Sequence, residues 1–192
     1  MSPAGGTAYT LQYAYSEGRI DFQGRGFLGM KSRLVTDLRD NKTTTEVYRQ
    51  DFPYIGALES AASRQPGSGL MIDSVSHTYD KHVLDSTSNN QRYLPYRPTS
   101  VTQRYEVGGV KNGTLISQTT ESRTVNTLGN TTTASAVIVD YDSGSPDYYA
   151  SYTQNVATSF SADQTNRGLS LPVSPTETRT QPGGASEARA AS

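Results

Sequence analysis

The feature that most constrains this chain is the recurrence of short runs with a period of two, each closed by turn residues. Tyr9, Leu11, Tyr13 and Tyr15 alternate with Thr10, Gln12 and Ala14, the spacing of a half-buried strand with its aromatics on one face. Gly18 reads as a turn. Leu28, Met30 and Leu34 then oppose Lys31 and Arg33, a second strand whose glycines mark a bulge or a close backbone approach. Residues 43–50 are a Thr-rich strand ended by Pro53, which has no amide to give a ladder. Residues 70–79 follow as a strand after Gly67-Ser68-Gly69. Asn112-Gly113 between residues 101–110 and 114–125 is the strongest hairpin signal in the chain. Gly129-Asn130 turns into residues 134–141, residues 142–146 turn again, and Tyr148, Tyr149 and Tyr152 open the last strand. Residues 57–63 (ALESAAS) carry helix formers in a run too short to stand alone, so helix and strand both stay open there. Residues 85–100 read as a long loop with short extended pieces.

Composition agrees with a sheet. Of 192 residues, 23 are Ser and 24 Thr, Tyr numbers 13, and only 33% are apolar. Thr and Tyr suit a pleated, half-wet surface better than a helix. The expected fold is all-β: antiparallel hairpins and a meander forming a curved sheet over residues 1–164, then an extended, irregular Pro/Gly/Ser/Thr-rich tail over residues 165–192. A net charge of −1 supplies no field for nucleic acid or anionic lipid. The absence of cysteine excludes disulfides and thiolate metal sites. No segment has the ~20 apolar residues that span a bilayer as a helix. Met1-Ser2-Pro3-Ala4-Gly5-Gly6 has neither a basic region nor an apolar stretch, so it is not a Sec signal, and a secreted fate would need another export route or a signal lying outside this chain.

Residues 13–30 are more specific than their periodicity. The run from Tyr13-Ala14-Tyr15 to Gly24-Arg25-Gly26-Phe27-Leu28-Gly29-Met30 resembles the middle region of insecticidal toxin-complex B components and related Rhs proteins. Tyr48-Arg49-Gln50-Asp51-Phe52-Pro53-Tyr54-Ile55-Gly56 resembles a second segment of that family at the expected remove. Arg92-Tyr93-Leu94-Pro95-Tyr96 is a third echo, and residues 177–189 are similar to the run leading into the family's YD repeats. Met30 stands where the family shows Phe. Tyr79-Asp80 lacks the Gly-Asn of a YD repeat, and Gly129-Asn130 follows Thr127-Leu128 instead of Tyr-Asp. The resemblance implies a structural segment ahead of the repeat array, in a secreted protein whose β-shell encloses and delivers a toxin effector. The partners implied are the downstream YD-repeat shell and toxin subunits, with host-surface contact allowed and neither nucleic acid nor a small-molecule substrate expected. A surface adhesin or carbohydrate-binding β-domain is the alternative.

Few residues could carry chemistry. His77 and His82 sit five apart, opposite faces of a regular strand, so they are not a metal pair. Residues 24–29 (GRGFLG) lack the Lys-Ser/Thr of a phosphate loop. Asp140, Asp142, Asp147, Ser143 and Ser145 do not follow the ligand order of a calcium loop. Asn41, Asn112 and Asn130 head glycosylation-type triplets that read as turns before strands. Tyr9, Tyr13, Tyr15, Tyr141, Tyr148, Tyr149 and Tyr152 could form a sugar platform, but the expectation is buried rings with hydrogen-bonded hydroxyls. No catalytic, cofactor-binding or metal residue is predicted, and no cofactor.

Overall fold

The structure is a computed structural model that describes residues 10–85, 87, 92–126, 128–145, 148, 150–163, 169–180 and 186–190. All its regular elements are strands: β1 (Leu11–Asp21), β2 (Gly26–Asp37), β3 (Lys42–Tyr48), β4 (Leu58–Arg64), β5 (Met71–Asp85), β6 (Arg92–Tyr105), β7 (Leu115–Val125), β8 (Thr131–Asp140), β9 (Ser151–Asp163), β10 (Leu169–Thr180) and β11 (Ser186–Ala190). They succeed one another in sequence order, as a meander. The expected all-β class holds, and no helix occurs among the described residues. Two compact units are distinguished, Met1–Ser74 with Tyr105–Gly113, and Val75–Arg104 with Thr114–Ser192.

In the first unit β1, β2, β3 and β4 form antiparallel pairs. One cross-strand row runs Tyr15, Arg33, Glu46, Ala61, and the next runs Tyr13, Val35, Thr44, Ser63. Gly18 is not a turn. It pairs with Met30 inside β1, next to a register shift before Ile20. A Cβ on Gly18 would come 3.0 Å from the Met30 sulfur, so the glycine here admits a neighbour's side chain. The chain reverses later, at residues 22–25. Residues 57–63, open between helix and strand, resolve as β4: the Ala and Ser side chains sit across from the Thr-rich β3, and small residues satisfy that pairing as well as larger ones. The Asn112-Gly113 signal does mark the β6–β7 connection, but as a nine-residue loop, 106–114, and not a two-residue turn. Gly113 N–H donates to Glu106 O at 2.8 Å, and Asn112 Oδ1 accepts from Gly108 N and Gln65 Nε2.

In the second unit β7, β8, β9, β10 and β11 pair antiparallel in turn. Asn126 and Asn130 close the β7–β8 turn around Gly129. Two expectations fail here. Residues 92–105, most of them expected in a loop because of Pro95 and Pro98, are the long strand β6. Residues 169–180 and 186–190, inside the expected extended tail, are the paired strands β10 and β11. The cause is the same in both: a backbone ladder forms without apolar alternation, and a register shift at Pro172/Ser174 absorbs the missing proline amide. Tyr9, Asp147, Tyr149 and residues 181–185 lie outside the described residues.

Among the described residues the core is nearly absent: the only buried apolar side chain is Leu28, and the buried polar ones are Ser63 and Ser100. Phe22 is 94% exposed, Phe27 61% and Tyr15 57%.

Candidate functional site

The best-organised side chains lie in the first unit, where the two sequence segments that carried the family resemblance meet. β1 carries Glu17 at φ 56° and β2 carries Gly29 at φ 89°, beside the register shift between the Gly18/Met30 and Ile20/Phe27 pairs at which β2 has one residue more than β1. Gln50 reaches back from the segment after β3, and its Nε2 donates to Glu17 O and Gly29 O at 2.8 Å each. One amide thus bonds a carbonyl on each strand of the irregular hairpin.

The segment carrying Gln50 is itself braced. Arg49 N donates to Ala57 O at 2.8 Å, and Gly56 N to Arg49 O at 2.9 Å. Arg49 holds Asp51 with two hydrogen bonds, 2.7 and 2.6 Å, and its guanidinium lies 4.9 Å from the Tyr54 ring centre. Arg49 keeps the Asp51 carboxyl below the usual carboxylate range. Phe52 receives Arg25 over its ring at 4.3 Å, and Arg25 also pairs with Asp21. Beside this, Arg33 bonds Glu46, and Tyr48 Oη donates to Glu46 at 2.8 Å. The Arg33 bond depresses the Glu46 carboxyl, and burial, then Glu46, raises the Tyr48 phenol.

Beside Gln50 lies a cleft of about 470 Å³, lined by Ile20, Phe22, Leu28, Phe52 and Ile55 and equally by Arg19, Asp21, Arg25, Gln50 and Asp51. Asp21 and Asp51 are each held by an arginine. The arrangement therefore holds a backbone in shape and offers a cleft lined by apolar and charged side chains alike.

The candidate residues of the sequence fall in separate places. His77 and His82 both lie on β5. His77 Nδ1 meets the hydroxyl of buried Ser100 at 2.9 Å, with Tyr79 edge-on to its ring. Burial, then Arg97, holds its pKa below the ordinary value, and Glu121 opposes them. In residues 24–29, Gly24 and Arg25 belong to the turn and Gly26 opens β2. Asp140 and Asp142 accept backbone amides of their own turn, at 2.9 and 3.3 Å. No three His, Asp or Glu side chains converge as metal ligands among the described residues. Asn41, Asn112 and Asn130 sit in turns or loops. The tyrosine expectation is corrected: Tyr13, Tyr15, Tyr141 and Tyr148 are exposed instead of ring-buried, because no second layer among the described residues covers them. Tyr13 and Tyr15 belong to one unit, Tyr141, Tyr148 and Tyr152 to the other. Sequence reasoning missed Gln50. Its only signal was its place in a resembling motif, since a side-chain bond to a distant carbonyl leaves no local pattern.

No family model matches the chain, and no curated protein does. Solved structures do. A stretch of the TcdB2-TccC3 crystal structure superposes with a TM-score of 0.68 over 91% of this chain, at 12% identity. The chain has the fold of that stretch. The TcdB2-TccC3-Cdc42 crystal structure gives the same TM-score and coverage at 11% identity. This chain spans 13% and 12% of those chains' lengths, so the likeness is to one part of a much longer polypeptide.

The latch and His77 can each be tested. Replacing Gln50 by Leu keeps its bulk but strands two carbonyls, one partly buried, and is expected to cost about 1–2 kcal/mol in urea unfolding. An unchanged midpoint would show that the bulge holds itself. For His77 the folded state disfavours the imidazolium, so its contribution is present above the unfolded value of 6.5 and lost as pH falls through the lower folded value. Stability should drop as pH falls from about 6.5, before any carboxylate titrates, and His77→Gln should remove that step. A wild-type melt flat down to about pH 5 contradicts this.

Proposed function

We propose that this chain is a non-catalytic structural segment of a secreted bacterial Rhs- or toxin-complex-type protein, contributing to a β-shell that encloses and delivers a toxin effector. The observation that carries the reading is the fold match over 91% of this chain to a small part of TcdB2-TccC3. The described side chains support it. A sheet that buries one apolar residue among those described suits a wall whose faces are covered by other parts of a larger protein. The Gln50 latch joins the two segments with the strongest family resemblance, so the motif has a mechanical use in holding a bulged hairpin. Partners in this reading are the downstream repeats and toxin subunits.

Exposed Tyr13, Tyr15, Tyr141 and Tyr148 favour the second reading, a glycan-binding surface domain. One comparison separates the two. The 192-residue chain is melted and its light scattering recorded, alone and continued into the repeats expected downstream. The shell reading expects the longer protein to melt higher than the short chain. If the short chain alone is monomeric and melts above the usual range of roughly 45–65 °C, it is self-contained and the adhesin gains.

A further inference from the structure

β1 ends the sheet, with β2 on one side and no described strand on the other. The ladder shows which of its backbone groups are free for another chain. Leu38 N donates to Thr10 O at 3.1 Å, which makes Thr10 and Leu38 a hydrogen-bonded pair. Continuing the register, Gln12 with Thr36, Ala14 with Leu34 and Ser16 with Ser32 are hydrogen-bonded pairs too, because the two kinds alternate along an antiparallel ladder. Leu11, Tyr13 and Tyr15 therefore point their N–H and C=O groups away from β2. The free row stops at Glu17, where φ is 56° and the carbonyl is taken by Gln50.

Natural edges are guarded by Lys, Pro or an early bulge. Here the register shift comes only after Gly18, and Leu11-Gln12-Tyr13-Ala14-Tyr15-Ser16 contains no charge and no proline. Tyr13 and Tyr15 are 49% and 57% exposed.

We infer that Leu11–Ser16 is a strand-addition edge whose occupant, for the chain by itself, is the same edge of a second copy. The register that engages all three free residues is centred on the middle one. Hydrogen-bonded residues must face hydrogen-bonded residues, so an antiparallel two-fold pair centres on Tyr13, with Leu11 of each copy opposite Tyr15 of the other and both bonds exchanged at each pair. Self-pairing puts aromatic rings against each other and against Leu, and it meets no like charge. The contact is small for a protein interface, so the dimer is weak and concentration-dependent.

The chain has no cysteine, which makes the test direct. Facing Cα atoms in such a pair stand about 5.5 Å apart, within disulfide reach. Tyr13→Cys under a mild oxidant should form covalent dimer at least about tenfold faster than Phe22→Cys, a more exposed site away from the edge. The unmodified chain should sediment as a monomer–dimer mixture that shifts with concentration. Tyr13→Pro removes one outward amide, and Tyr13→Lys sets like charges at the axis, so either should restore the monomer. Equal oxidation rates, or a monomer across a hundredfold concentration range, overturn the inference. It needs only the open edge, so a monomer that melts low overturns it and leaves the shell reading standing.

Discussion

Every backbone amide and carbonyl in a sheet needs a partner, and in this chain the next strand in sequence supplies it. That ladder sets the rest of the structure, because the usual competitor is missing. Leu28 is the only buried apolar residue among those described, so side-chain burial does not choose the architecture. The strands are instead dressed with short cross-strand contacts. Thr44 meets Ser63 at 3.2 Å, Gln103 meets Gln118 at 2.9 Å, and Thr124 meets Thr133 at 2.6 Å. Each such pair contributes roughly 0.2–1 kcal/mol. A meander suits this regime, since each strand is ordered by the one just before it with short loops to close.

Where the ladder is broken, the chain provides a substitute. Glu17 and Gly29 leave β-geometry at positive φ, and Gln50 restores both carbonyls to hydrogen bonding. The Arg49–Asp51 pair and the 49–57 loop hold that amide in place. The same bulge also ends the free row of β1, so one local feature shapes both the cleft and the edge.

The fold class is legible because period-two runs and turn glycines are local signals. Tyr13 and Tyr15 on one face, and Gly129-Asn130 between strands, are read from a few residues each. β6 and β10 are not legible, since their prolines and Thr-rich stretches resemble loop until a neighbouring strand is known. Gly18 misleads for a related reason: its requirement is set by Met30, twelve residues away in sequence and opposite in the ladder. Gln50 and the His77–Ser100 contact depend on distant partners as well. The sequence thus shows its hairpin scale well and its long-range joins only through family resemblance.

Ladder pairing, with little apolar burial, is what orders the chain, and the heat capacity change of unfolding reports apolar burial directly. A compact chain of this length would show about 2.3–2.9 kcal/mol/K. Scanning calorimetry on the 192-residue chain, diluted to the monomer, should give clearly less, below about 2 kcal/mol/K. A value inside the compact range would mean that a substantial apolar core forms, and that burial rather than the ladder orders the sheet.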